Sequence, residues 1–144
     1  MLSTPKAGWS ELTLEDFKVS VSYLTDVPFD WLRACVGALK YGIPAACFLD
    51  SEGSTTTIIV DNTHSYIVTT FEDLHVIPLY GIYPSKFARE LVEDIKRDFE
   101  DWLYWSDCSL SEEQWANRRQ MLEDLIEETE KALEEYPHLS GLNC

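Results

Sequence analysis

The sequence predicts an α+β fold: an antiparallel β-meander of three to five strands, with one helix inserted after the first strand and two C-terminal helices packed on one face. Two observations support this. Short β-rich segments separated by polar turns occupy the first 80 or so residues, and apolar residues at helical spacing occupy the last third. With 144 residues, of which 45% are apolar, the chain is long enough for one domain, spanning residues 1–144. Residues 1–12 are expected to be an irregular lead-in, and residues 137–144 a flexible tail.

The first regular elements are a strand and a helix. Residues 17–23 alternate between apolar and polar side chains, which is typical of a half-buried strand. Asp26 is a suitable capping residue and Pro28 suits the first turn of a helix. Gly42 suits a left-handed residue after the last turn, so this helix is expected to end there.

Four short segments then predict the meander. Residues 45–49, 55–60, 66–71 and 74–80 are apolar or β-branched, and short polar turns separate most of them. Such turns join antiparallel hairpins. Pro78 has no backbone N–H to donate, which indicates that the last strand is short or lies at an edge.

Two helices are predicted after the meander. Pro84 starts the first, and its apolar stripe consists of Phe87, Leu91, Ile95, Phe99 and Trp102. Ser111 and Gln114 form a capping-box pattern, which places the start of the second helix there. This helix is expected to run to about Tyr136, before Pro137.

The charge balance narrows the classes of function. There are 26 Asp and Glu residues against 11 Lys and Arg, which gives a formal net charge of −15. Such a chain is a poor direct ligand of nucleic acid or of an anionic membrane surface. It has no apolar run long enough to span a bilayer and its start does not resemble a signal peptide, so a cytoplasmic protein is expected.

No motif points to catalysis, a cofactor or a metal. The four cysteines lack the paired spacing of zinc ligands, and Cys35 and Cys47 lie in apolar segments as expected for reduced core residues. His64, His75 and His138 belong to no metal-binding or nucleophile motif. An enzyme remains an alternative, with a cleft that holds His64 or His75 beside a carboxylate.

The last helix carries the strongest candidate site. Glu123, Glu127, Glu130 and Glu134 follow a spacing of three or four residues, which places them along one side of a helix. The other predicted acidic members are Asp124 and Glu128. Two interpretations remain open: a solvated face that keeps the protein soluble, or a recognition surface for a basic partner.

An aromatic cluster lies just before this helix. Trp102 falls on the apolar stripe, whereas Tyr104 and Trp105 cannot both point the same way, so at least one is expected near the surface. We assign Trp105 to the margin of the acidic surface as a partner-binding residue. The alternative is that these aromatic residues join the two helices to each other.

Together these features predict a small, acidic, non-catalytic protein that neutralises a basic protein partner, such as a nuclease or toxin. In composition it resembles toxin-immunity proteins and phage or plasmid anti-defence inhibitors. One alternative is a DNA mimic, whose carboxylates replace phosphates and block a nuclease or a DNA-binding protein. Another is an interaction module that forms a homodimer through its aromatic helices, in which the charge serves only solubility.

Overall fold

The α+β class is confirmed by a computed structural model, which describes residues 1–70, 72–106 and 108–136. The predicted tail, residues 137–144, lies outside the described residues. The elements in chain order are β1 (Trp9–Leu14), β2 (Phe17–Ser22), α1 (Val27–Tyr41), β3 (Ala45–Asp50), β4 (Thr55–Val60), β5 (Ser65–Thr69), β6 (His75–Leu79), α2 (Pro84–Arg97), α3 (Phe99–Leu103) and α4 (Glu112–Glu135).

The predicted meander forms one four-stranded sheet. Its order is β3-β4-β5-β6, and every neighbouring pair is antiparallel. The strand β6, which contains Pro78, is an edge strand as predicted. Across the middle of the inner face, Cys47, Ile58 and Ile67 lie side by side, and all three are fully buried.

The irregular lead-in predicted for residues 1–12 is wrong, because residues 9–14 form β1. Leu12 and Leu14 point into the core, and β1 pairs with β2 across the two-residue turn at Glu15 and Asp16. This hairpin is a separate two-stranded sheet, so the strands form two sheets instead of one meander. The alternation in β1 is short, and its pairing with β2 decides its conformation.

The hairpin is connected to both edges of the larger sheet. At the β3 edge, the Ser51 hydroxyl donates a hydrogen bond to the Ser20 carbonyl at 2.6 Å. Beyond the end of β6, the backbone N–H groups of Tyr80 and Gly81 both donate to one Glu15 carboxylate oxygen, at 2.8 and 2.7 Å. The hairpin therefore bridges the two edge strands.

Helix α1 has the predicted bounds, but Asp26, the residue predicted to cap it, has a different role. Gly42 follows the helix in the left-handed conformation, with φ of 66°. Asp26 precedes the helix, yet its side chain makes no capping hydrogen bond. Its carboxylate instead accepts two hydrogen bonds from the Arg118 guanidinium, at 2.9 and 3.2 Å, which connects the start of α1 to α4.

The helix predicted from Pro84 onward is interrupted at Asp98, which separates α2 from α3 with φ of −119° and ψ of 40°. The Asp98 carboxylate accepts hydrogen bonds from the Arg97 side chain and the Thr4 hydroxyl. Short polar side chains of this type compete with regular helix geometry. The apolar stripe continues across the interruption, since Ile95 and Trp102 are both fully buried.

Helix α4 begins with the predicted capping box, in which Ser111 and Gln114 exchange side-chain and backbone hydrogen bonds. Its buried side is built from Leu122, Ile126 and Thr129, and it packs on α1 and α2. Helix α1 in turn packs on β3 of the larger sheet. The sheet and α4 are therefore separated by the α1 layer.

Candidate functional site

The six predicted carboxylates of α4 lie on the side of the helix that faces away from the core. Five are exposed and Glu130 is half-buried. The burial of Leu122, Ile126 and Thr129 fixes this orientation, because residues three and four apart share one side of a helix. We call the following set the acidic surface: Glu123, Asp124, Glu127, Glu128, Glu130 and Glu134.

Two members of the acidic surface are neutralised by neighbouring helices. Lys40, at the end of α1, contacts Glu128 with an Nζ–Oε1 distance of 2.6 Å. Lys96 of α2 contacts Glu130 at 2.7 Å. The hydrogen bond that Lys40 donates to Glu128 raises the pKa of Lys40. These pairs lie at the two borders of the acidic surface and connect α4 to both helices beneath it.

The other four carboxylates form no ion pair with any base in the described part of the chain. Asp124 accepts a hydrogen bond from the neutral Gln120 side chain at 2.8 Å, which leaves its charge in place. From Glu123 to Glu134 the helix rises by about 16 Å, so an uncompensated negative strip follows three turns. Such a strip attracts cations and repels anions.

The C-terminal end of α4 adds an unfavourable charge arrangement. Glu134 and Glu135 occupy the last turn, which contains no basic residue. The helix macrodipole places partial negative charge at this end, where cations are stabilising and carboxylates are not. Folding therefore gains nothing from these two charges.

A groove of about 570 Å³ lies between α2 and α4 and reaches into the acidic surface. Its lining combines the apolar side chains of two residues with four charged side chains: Val92, Leu133, Arg89, Glu93, Glu130 and Glu134. Three of the four charged residues are glutamates. This lining suits the long apolar stem and cationic end of a lysine or arginine side chain.

The structure does not place Trp105 at the surface. It is 4% exposed, its ring packs 4.9 Å from that of Trp102, and its Nε1 donates to the Thr25 carbonyl at 2.7 Å. Tyr104 is the exposed member of the pair, at 52%, and its ring packs against that of Trp115 in a tilted arrangement with centroids 4.6 Å apart. Trp105 therefore belongs to the core, where it connects the segment after α3 to the segment before α1, and its assignment to the margin of the acidic surface is wrong.

Sequence reasoning did not find the contribution of α2 to the groove. Arg89 and Glu93 are four residues apart and both exposed, which identifies them as neighbours on an outer helix side. Their position opposite Glu130 and Glu134 depends on the packing of α2 against α4, and nothing in the local sequence specifies it.

The residues considered for chemistry are not brought together. His64 lies in the turn between β4 and β5, and His75 starts β6 at the opposite end of the sheet, about 17 Å away along the strand direction. Cys35 and Cys47 are buried, and burial raises the pKa of the Cys35 thiol to about 12. Within the described ranges, no three His, Cys, Asp or Glu residues are placed to hold a metal ion. His138 lies outside those ranges.

Comparisons of the chain with protein-family models, with curated proteins and with solved structures gave no match. Among the residues described, no helix is both long enough and apolar enough to cross a bilayer.

Proposed function

We propose that this protein is a non-catalytic binding protein that neutralises a basic protein partner through the acidic surface of α4. The observation that carries the proposal is the uncompensated strip of Glu123, Asp124, Glu127 and Glu134. A partner with clustered lysines and arginines would gain long-range attraction and charge-assisted hydrogen bonds there. The proposal places this protein in the cytoplasm beside its partner.

The arrangement of the charge favours recognition over solubility alone. A face that only needs to be soluble works with mixed charges, which avoid repulsion along the helix. Here Glu134 opposes the helix dipole at a cost of about 0.3–1 kcal/mol. The like-charge repulsion at Glu123 and Glu134, about 0.2–0.5 kcal/mol for each pair four residues apart, is balanced by attraction to Arg119 and Lys131. The fold tolerates the remaining cost at the end of α4.

The groove between α2 and α4 would anchor the partner. Lysine and arginine side chains from a partner can lay their stems on Val92 and Leu133 while the cation meets Glu93 and Glu134. An anchor of this kind fixes orientation, which a uniform charged surface does not.

The test is affinity capture with three immobilised forms of the protein. The first is wild type and the second carries Glu123→Gln, Glu127→Gln and Glu134→Gln. The matched control carries Glu→Gln at three other exposed positions, Glu11, Glu52 and Glu72. Its net charge equals that of the α4 variant. We expect a basic protein from the source lysate to bind wild type and the control, and to be lost from the α4 variant.

Salt supplies the second readout. Because exposed charges are screened within about 10 Å at 0.1 M salt, the captured partner should elute as salt rises. Equal capture by the α4 variant and the control would contradict the proposal, and so would capture that is indifferent to 0.5 M salt. If duplex DNA competes with the protein for the captured partner, the protein acts as a DNA mimic on a nuclease or a DNA-binding protein.

A further inference from the structure

The middle of the outer face of the four-stranded sheet is largely apolar, and the one charged outward residue of its strands, Asp50, lies at the end of β3. The strand registers align two rows of outward side chains across all four strands. One row is Phe48, Thr57, Val68 and Val76, and the other is Ala46, Ile59, Tyr66 and Pro78. We call these eight residues the neutral face. None of them is charged at neutral pH.

This face is open to solvent. Phe48 is 48% exposed, Tyr66 36% and Val76 62%, while the inner face of the same strands is fully buried at Cys47 and Ile58. Antiparallel sheets with one solvated side normally alternate apolar inward and polar outward residues. Here the residues of the neutral face other than Thr57 are apolar or aromatic, which is closer to the pattern of a sheet packed on both sides.

We propose that the neutral face is the interface of a homodimer, in which the sheets of two copies pack face to face. The occupant is a second copy because of the charge distribution. With a net charge of −15, two copies repel each other wherever carboxylates meet, and the neutral face offers no carboxylate. The acidic surface lies beyond α1, on the far side of the fold, so this packing also separates the two α4 helices.

The residue pattern suits such a contact. Two copies related by a twofold axis present the same face to each other, so the rings of Phe48 and Tyr66 can insert between the β-branched side chains of the opposite sheet. Paired sheets of this kind pack about 10 Å apart. A basic partner finds no carboxylate to pair with here.

The size of the face sets the expected affinity. Four strands spaced about 4.8 Å apart, with about five residues each, cover roughly 300 Å² in plan. The exposed Leu74 and Tyr80 continue the outward alternation of β6 and extend this edge. A patch of this size marks an interaction site but falls short of the roughly 800 Å² per partner of a standard interface. We therefore expect dimerisation on the order of micromolar or weaker.

The test is sedimentation equilibrium of wild type, Val76→Lys and Met121→Lys. Both variants replace a half-exposed apolar side chain with lysine, but Met121 lies on α4 and Val76 on the edge strand of the neutral face. Wild type and Met121→Lys should rise from the 16.6 kDa monomer towards twice that mass with concentration. Val76→Lys should weaken this association about tenfold or more.

Salt gives an independent readout. Two chains of like charge repel less as salt rises, and an apolar contact is not screened, so dimerisation should strengthen between low salt and 0.5 M salt. A wild-type mass of 16.6 kDa at every concentration up to about 500 µM would overturn the proposal. Equal association constants for Val76→Lys and Met121→Lys would do the same. Circular dichroism confirms that each variant is folded.

Discussion

Replacing Glu134 with glutamine should make the protein more stable, although it removes a residue of the acidic surface. Glu134 lies in the last turn of α4, where no basic residue balances it. The substitution keeps the size and the helix propensity of the side chain nearly unchanged. It therefore isolates the charge.

The expected magnitude follows from the neighbours of Glu134 on the helix. Removing a carboxylate from the negative end of the macrodipole is worth about 0.3–1 kcal/mol at low salt. Relief of the repulsion from Glu130, four residues earlier, is offset by loss of the attraction to Lys131, three residues earlier. The net gain is thus about 0.3–1 kcal/mol, or about 1–4 °C in Tm for a domain of this size.

The assay is urea unfolding at low salt, followed by circular dichroism, with Glu123→Gln as the matched control. Glu123 lies in the middle of α4, away from the dipole ends. At that position, relief of repulsion from Glu127 opposes loss of attraction to Arg119. The control should therefore change the free energy of unfolding by less than about 0.3 kcal/mol.

Two results would refute this reasoning. One is a Glu134→Gln variant that is less stable than wild type. The other is an equal gain for Glu134→Gln and Glu123→Gln, because it would trace the effect to overall charge and not to the helix end. In 1 M salt, where screening acts within about 3 Å, the gain at Glu134 should largely disappear.

Two further predictions concern the core. Trp105→Phe removes a buried hydrogen bond to a backbone carbonyl at 2.7 Å. Urea unfolding should show that the free energy of unfolding falls by about 1–3 kcal/mol. A fall below about 0.5 kcal/mol would contradict the buried position of Trp105. Burial raises the pKa of Cys35 to about 12 and that of Cys47 well above its ordinary value, so both thiols stay protonated at pH 8. In a Cys144→Ser background, Ellman's reagent should react rapidly with one thiol per chain, that of the exposed Cys108, and with the other two only after denaturation.

Local periodicity was enough to predict most elements of this fold. The strands and helices from residue 17 to residue 135 follow patterns of two or of three to four residues, and Ser111, Gln114 and Gly42 have the predicted roles at helix ends. Strand β1 was missed because only Leu12 and Leu14 follow an apolar-inward alternation, since Ser10 is buried and Trp9 faces outward, and because its conformation depends on pairing with β2. Local patterns do not report such pairing.

The same distinction explains what was predicted of the candidate site. Spacing along α4 correctly placed the carboxylates on one outer side, because helix geometry alone determines that. Spacing does not reveal that Lys40, 88 residues earlier, neutralises Glu128. The orientation of Trp105 also depends on a distant group, the Thr25 carbonyl, which draws the indole inward while Tyr104 turns to solvent.

One of the two proposed surfaces is strongly charged and the other is neutral, so their binding should respond differently to salt. Binding at the acidic surface should weaken as salt rises, whereas association through the neutral face should strengthen, so one salt series separates the two. Their placement on opposite sides of α1 means that a dimer directs both acidic surfaces outward. A partner whose two basic sites are far enough apart to reach both outward surfaces would then bind the second site intramolecularly, and its apparent affinity should exceed that for the monomeric Val76→Lys variant. Equal affinities would show that the two surfaces act independently.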